Sequence, residues 1–412
     1  MALVKKPVTG MKDILPREME IRDYVTALVK ETYAGFGFCS IETPCVEHIE
    51  NLCSSQGGEN EKLIFKILKR GEKLDLDSAQ TEDDLVDSGL RYDLTLPLSR
   101  YYAGHKELLP SPMKCIQIDK VYRAERPQKG RDREFVQCDI DILGSSSANC
   151  EVELICVTAE ALQALSLKNF KIKINDRRLL KSMLLKCGFE EGQLDSVCIS
   201  FDKLDKIGVE GVIAELNEKE FAASAIENFS KVLEKRPFTL DMMPELCEDA
   251  SAAENLKYIV DTVKSVNNGA FDVEFDISLV RGQGYYTGTV FEVESTEFRG
   301  AISGGGRYDN LIGKFIGQSV PAVGFSIGFE RIFAILKESG FKIPAKRDKI
   351  ALLYDTDKFS EGYKKAQELR EKYDVSLFET PKKTGKFLSK LQENGYNGFF
   401  ILGQSEEVNE LK

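Results

Sequence analysis

Apolar residues Ile21, Val25, Leu28 and Val29 recur at three-to-four spacing, which predicts a helix over Arg17–Tyr33. Gly35-Phe36-Gly37 stops it, and Cys39–Thr43 reads as a short strand closed by Pro44. Leu63–Leu68 and Lys73–Leu76 flank Arg70-Gly71 like the arms of a hairpin. Thr95 is placed to cap a helix that tolerates Pro97 in its first turn and ends near Tyr102. Two long strands follow, Lys114–Arg123 and Arg133–Ile142, joined by a polar loop, and then a helix from Asn149 to Leu165. From Lys171 to Ala253 the pattern changes to short helical stretches with few glycines, which reads as an inserted helical module. Strands resume at Val273–Val280 and Tyr286–Glu294. A glycine-rich Ser303-Gly304-Gly305-Gly306 then precedes Val323–Arg331, which leads into a helix. Beyond a linker at Phe341–Arg347, Ile350–Tyr354, Val375–Glu379 and Gly398–Leu402 read as strands separated by helices at Ser360–Tyr373 and Thr384–Gly395. That alternation predicts a small parallel-sheet domain.

The Arg133–Ile142 strand carries the most chemistry. At period 2, Val136, Cys138, Ile140 and Ile142 share one face, while Phe135, Gln137, Asp139 and Asp141 share the other. The polar face is either an ordinary solvent-facing surface or the floor of a pocket for a small cationic or amide-bearing ligand. Five of the eleven residues from Arg123 to Arg133 are basic, against Glu125 and Asp132. The loop is either a solvated hairpin tip or a site for a polyanion such as ATP or RNA, since Arg grips phosphate oxygens bidentately. Arg281-Gly282-Gln283-Gly284-Tyr285-Tyr286 and Ser303–Gly306 permit close backbone approach to a ligand, or plain tight turns. The second lacks the Gly-Lys-Ser/Thr ending of a P-loop. Arg331 stands just inside a helix start, as a surface ion-pair partner or a ligand contact.

Composition narrows the chemistry. The chain has 412 residues, which suggests two to four domains, and a net charge of −11. That charge argues weakly against a general nucleic-acid coat but leaves room for a local basic site. None of the ten cysteines forms a C-x-x-C pair, so reduced core thiols are expected. Two histidines, His48 and His105, cannot build a His-rich zinc site. The reactive groups are therefore expected among Arg, Asp, Glu, Gln and Tyr. No apolar run approaches the ~18 residues of a membrane span, and the first seven residues carry no long apolar core. A cytoplasmic protein with no membrane partner is expected.

In order and spacing, these segments resemble a class II aminoacyl-tRNA synthetase of the histidyl family, over nearly the whole chain. Motif 1 resembles the Arg17–Tyr33 helix with the strand ending at Pro44, which implies a homodimer. Motif 2 resembles Tyr122-Arg123, the Glu125–Gly130 loop and Arg133-Glu134-Phe135, and motif 3 resembles Gly328-Phe329-Glu330-Arg331. Two segments are particular to the histidyl branch: Leu279–Gly282 leading to Tyr285-Tyr286-Thr287, and Ser303–Asp309. Tyr92-Asp93-Leu94-Thr95 resembles the family's amino-acid pocket. The family carries Leu-Asp before the tyrosine pair, where this chain has Gln283-Gly284.

The resemblance implies an α+β fold with an antiparallel sheet bearing the active site and helices flanking it. It assigns residues 1–170 and 256–340 to the catalytic core, 171–255 to a helical insertion, and 346–412 to a short α/β domain like those that bind the anticodon. It implies activation of histidine by ATP, with Mg²⁺ on the phosphates, and transfer to histidine-specific tRNA. Arg123 and Arg281 would act at the α-phosphate, and Arg331 would lie on the adenine ring. Asp93, Thr95 and Gln137 would hold the substrate ammonium, Asp141 and Tyr285 the imidazole, and Tyr286 would complete the pocket. Gln128 and Arg133 would approach the tRNA acceptor end. The family pattern gives Asp139 no ligand contact. The tail has 13 Lys/Arg against 12 Asp/Glu between 346 and 412, so anticodon reading there would rest on local geometry. A second reading is a non-catalytic paralogue, the histidine-sensing regulatory subunit of ATP phosphoribosyltransferase. Such proteins usually lack the catalytic arginine and the anticodon domain.

Overall fold

A computed structural model describes residues 3–56, 60–128, 131–201, 203–279 and 284–411. Its contacts divide the chain into one unit of residues 1–12 and 26–339 and a second of residues 13–25 and 340–412.

Fifteen strands follow in chain order among the described residues. In the first unit they are β1 (Cys39–Ser40), β2 (Val46–His48), β3 (Lys66–Leu68), β4 (Val86–Leu90), β5 (Met113–Tyr122), β6 (Glu134–Leu143), β7 (Phe170–Asp176), β8 (Asp272–Phe275), β9 (Thr289–Ser295), β10 (Ala301–Arg307) and β11 (Ala322–Gly328). Eight of them form one sheet, ordered β1-β5-β6-β11-β10-β9-β7-β8. It is antiparallel except at its two edges, where β1 with β5 and β7 with β8 run parallel. β2, β4 and β3 form a separate small sheet.

The predicted hairpin across Arg70-Gly71 does not form: β3 pairs antiparallel with β4, and Gly71–Lys73 is a single 3₁₀ turn. Residues 69–85 are rich in Asp, Lys and Glu, so they offer no second alternating strand beside β3. The helical run also begins later than its sequence suggests. Lys171, Ile172, Lys173 and Ile174 belong to β7, a strand of the large sheet whose isoleucines are fully buried. Helices then run from Arg177 to Val266. Ser303–Gly306 is neither loop nor turn but the middle of β10. Thr95 opens the helix Thr95–His105 without capping it. The Asp93 carboxylate accepts from the Leu96 amide at 3.1 Å and does that work instead.

In the second unit, β12 (Lys349–Tyr354) lies parallel between β13 (Asp374–Glu379) and β14 (Gly398–Ile401), and the short β15 (Asn409–Glu410) pairs antiparallel outside β14. Period-2 alternation along β12 fills both faces. Ala351 and Leu353 pack on Leu391 of the helix Thr384–Glu393, while Leu352 packs on Ala366 of the helix Phe359–Leu369. Residues 13–25 belong to this unit, through Glu20 on Lys346 at 2.5 Å and Arg17 on the Glu393 carbonyl at 3.2 Å. The ten cysteines are free, and Cys115, Cys138, Cys150, Cys187, Cys198 and Cys247 are buried.

Candidate active site

A cavity of about 370 Å³ opens over the centre of the large sheet. Its floor is β6, with Gln137, Asp139 and Asp141 on one face as the alternation predicts. Asp139 and Asp141 are only 4% and 2% exposed, which decides between the two readings of that face: it is a pocket floor. Register explains why the neighbouring strands carry so much glycine. Asp141 lies opposite Gly324, and Gly324 lies opposite Gly306 on β10. A Cβ at Gly324 would stand 1.9 Å from Asp141 Oδ1, so only glycine leaves room for that carboxylate.

The floor is wired in place. Tyr308, 1% exposed, donates to Asp141 Oδ1 at 2.6 Å. Gln137 Nε2 donates to Ser326 Oγ at 2.8 Å and lies 3.4 Å from Asp139 Oδ1. Ser303 Oγ donates to the Ser326 carbonyl at 2.7 Å. Two acceptors on this floor, Gln137 Oε1 and Asp141 Oδ2, are buried without a hydrogen-bond partner among the described residues. Burial pushes both carboxyl groups above the ordinary carboxylate range, and the charge of Asp141 pushes Asp139 further. The Tyr308 hydrogen bond pulls Asp141 partway back.

One wall is the start of helix Thr95–His105 with the tyrosine pair. The Tyr285 hydroxyl lies 3.3 Å from Asp93 Oδ2 and 3.5 Å from Thr95 Oγ1. Its ring packs edge-on to Tyr286 at 5.0 Å and to Tyr308 at 6.1 Å. Burial, then the charge of Asp93, raises the Tyr285 hydroxyl well above its usual value, so it stays a donor.

The rim sets three arginines among three carboxylates. The Arg123 guanidinium sits 4.2 Å from the Tyr92 ring centroid and 5.0 Å from that of Phe135, and Nε donates to the Tyr92 carbonyl at 3.3 Å. Held between two aromatic faces, its planar head is aimed before any ligand arrives. Arg331, in the first turn of helix Phe329–Glu338, lines the same cavity and donates to the Ala301 carbonyl. Its neighbour Glu330 accepts from the Val136 amide at 3.4 Å. Glu125, Arg131 and Asp132 complete this side.

Arg123, Arg331, Asp93, Thr95, Gln137, Asp141, Tyr285 and Tyr286 thus surround one cavity. Gln128 and Arg133 are not among its lining residues. The Gln128 amide pairs with the Arg131 carbonyl at 3.1 Å, and Arg133 Nε donates to the Glu125 carbonyl at 2.9 Å. Arg281 and Gln283 lie outside the described residues. The residue patterns gave no role to Tyr308, Ser326, Tyr92 or Phe135. Phe135 carried one usable signal, its place on the floor face of β6, and Tyr92 and Tyr308 stood inside segments already singled out by resemblance; Ser326 is placed by register, opposite Asp139. Among the described residues, no group of three or more His, Cys, Asp or Glu side chains is arranged to hold a metal ion.

Comparison with known proteins agrees with this geometry. The family model for histidyl-tRNA synthetase matches residues 10–332. The histidine–tRNA ligase of Leifsonia xyli is 43% identical over 365 residues, spanning 85% of this chain and 83% of the relative. That of Christiangramia forsetii is 33% identical over 425 residues, spanning 98% and 93%. Among solved structures, a histidyl-tRNA synthetase from Nostoc superposes with a TM-score of 0.78 at 26% identity, covering 97% of this chain and 91% of that one. A Bacillus halodurans protein described as an ATP phosphoribosyltransferase regulatory subunit/histidyl-tRNA synthetase has the same fold, with a TM-score of 0.79 at 20% identity over 97% and 99% of the two chains.

Proposed function

The chain belongs to the histidyl-tRNA synthetase family, and from that premise we propose that its cavity binds histidine on the acidic floor and ATP along the arginine rim. The protein activates histidine with ATP and transfers the histidyl group to tRNA. A histidine carboxylate oxygen attacks the α-phosphorus, the bond to the β-phosphate oxygen breaks, and pyrophosphate leaves. A ribose hydroxyl of the tRNA end then attacks the acyl carbon and AMP departs.

The observation that carries the site assignment is the pair of unpartnered acceptors, Asp141 Oδ2 and Gln137 Oε1, on the buried floor. Histidine brings an ammonium and an imidazole N–H, the donors such acceptors require. A ligand without them leaves buried polar atoms unpaired, which is how ~10⁴-fold discrimination arises without editing. On this reading Gln137, Asp93 and Thr95 hold the ammonium, Asp141 and Tyr285 the imidazole, and Tyr286 closes the pocket. Arg123 and Arg281 neutralise the α-phosphate, and Arg331 stacks on adenine. In-line displacement at phosphorus needs alignment and charge more than a proton-transfer base, and aimed arginines supply both. Mg²⁺ enters on the phosphates of ATP as part of the substrate. The tRNA acceptor end meets the loop bearing Gln128 and Arg133, and the 346–412 segment reads the anticodon. The protein works as a homodimer in the cytoplasm; among the described residues no helix is long and apolar enough to cross a membrane.

The regulatory-subunit alternative is not better supported: the relatives at 33–43% identity are ligases, and Arg123 and Arg331 both line the cavity. Histidine-dependent ATP–pyrophosphate exchange is the test. Exchange with histidine and not with other amino acids is expected; none at all in the purified protein would overturn the reading.

A further inference from the structure

The 123–133 loop is held by a segment far away in sequence. The Arg133 amide donates to the Gly10 carbonyl at 2.7 Å. The Arg133 side chain turns inward, donating to the Glu125 carbonyl at 2.9 Å and reaching the Thr9 carbonyl at 3.5 Å. Lys12 forms an ion pair with Asp132 at 2.8 Å, with Asp132 only 12% exposed. Gly10 has φ +85°, and a Cβ there would lie 2.7 Å from Arg133 Cγ and 2.9 Å from Pro127 Cγ. The backbone must therefore take a conformation that only glycine adopts readily, at a place where only glycine fits. The other end of the loop is tied separately, by the Arg123 amide on the Arg133 carbonyl at 2.9 Å and the Ala124 amide on the Leu63 carbonyl at 2.8 Å.

We propose that residues 9–12 are a positioning clasp for the synthetase reaction, fixing the 123–133 loop so that its charged residues hold their places on the cavity rim. Glu125, Arg131 and Asp132, all lining the cavity, lie on the stretch that the clasp pins at Arg133 and Asp132. Gly10, Lys12 and Arg133 do not line the cavity. They act through the rim by keeping it within the sub-ångström tolerance that phosphoryl chemistry requires. The proposal rests on the synthetase reading for its catalytic consequence, but not for its structural one.

The experiment uses the full chain. Gly10→Val is expected to lower kcat of histidine-dependent exchange ~10²-fold. It leaves the KM for histidine within ~2-fold, because the floor is untouched. Hydrogen exchange at the Arg133 amide, measured without substrates, is expected to speed up ~5-fold or more on loss of its bond to Gly10. Lys12→Glu, a change at an exposed side chain that leaves the core intact, is expected to cost ~2–5-fold in kcat, with Lys12→Arg restoring it. If Gly10→Val does not fold, the Lys12 pair decides. Wild-type kcat and wild-type protection of the Arg133 amide in the folded variants would overturn the clasp. If the wild type shows no histidine-dependent exchange, the synthetase reading fails while amide protection still decides the clasp.

Discussion

Two sides of one cavity are built by different physics. Asp139 and Asp141 stand on β6, which is paired along all ten residues with β5 and along seven with β11. Their carboxylates are buried, and room for that of Asp141 is left by Gly324 on the neighbouring strand. Arg131 and Asp132 line the other side from a loop held by a handful of backbone hydrogen bonds, the ion pairs Lys12–Asp132 and Arg131–Glu125, and the Gly10 contact. The floor has its geometry fixed by sheet register, and its cost is electrostatic: buried carboxylates without a cationic ligand. The rim's charges are half-buried, apart from the exposed Arg131, and carboxylates stand among its arginines, so its charge is partly balanced and its difficulty is position. On the proposed reading, the sheet side recognises histidine and the loop side serves the phosphates.

Variants that separate the two sides break or sharpen that contrast. Arg281→Ala should have the largest effect, lowering adenylate formation at least ~10²-fold in pre-steady-state assays while histidine binding persists. An unchanged rate would remove Arg281 from the proposed phosphate chemistry. Asp141→Asn should act on the other side, weakening histidine binding ~10–100-fold by calorimetry with little change in the KM for ATP. A change confined to ATP would reverse the assignment.

Asp139→Asn should be smaller and pH-dependent. Burial, then the charge of Asp141, raises the Asp139 carboxyl, so the folded protein holds that proton more tightly than the unfolded chain. The stability it contributes is full below the ordinary carboxylate range and is lost as pH rises through the raised value. Removing the charge should therefore raise Tm by a few degrees at pH 8 and by less at pH 5; a larger gain at pH 5 would contradict the sign. Smallest in molecular terms is salt: tRNA affinity should fall as salt rises, and a flat response would argue against phosphate contacts by the loop.

The floor was legible because a two-residue period survives in Gln137-Cys138-Asp139-Ile140-Asp141, and burial only chose between the two readings of its polar face. The C-terminal sheet was legible for a similar reason, since β12 alternates between two helices and its partners follow at regular spacing. What sequence hid was non-local. Gly304-Gly305-Gly306 reads as a loop because glycine has poor strand propensity, yet it forms a central strand, where a Cβ at Gly305 would stand 2.0 Å from the Gly324 carbonyl oxygen and one at Gly306 2.7 Å from that of Thr289. β3 finds its partner in β4 across a charged connection, so a local hairpin was the wrong pairing. Asp93 caps the helix that Thr95 was expected to cap, because its carboxylate reaches the Leu96 amide from two residues outside the helix. The Gly10–Arg133 contact joins positions too far apart for any local pattern to connect.

The division of labour between floor and rim is tested most directly by measuring histidine binding and histidine-dependent pyrophosphate exchange side by side in Asp141→Asn and Arg281→Ala. The account predicts a crossed result: Asp141→Asn loses binding, whereas Arg281→Ala binds histidine like the wild type and loses exchange. Equal loss of both properties in both variants, or the reverse pattern, would contradict it.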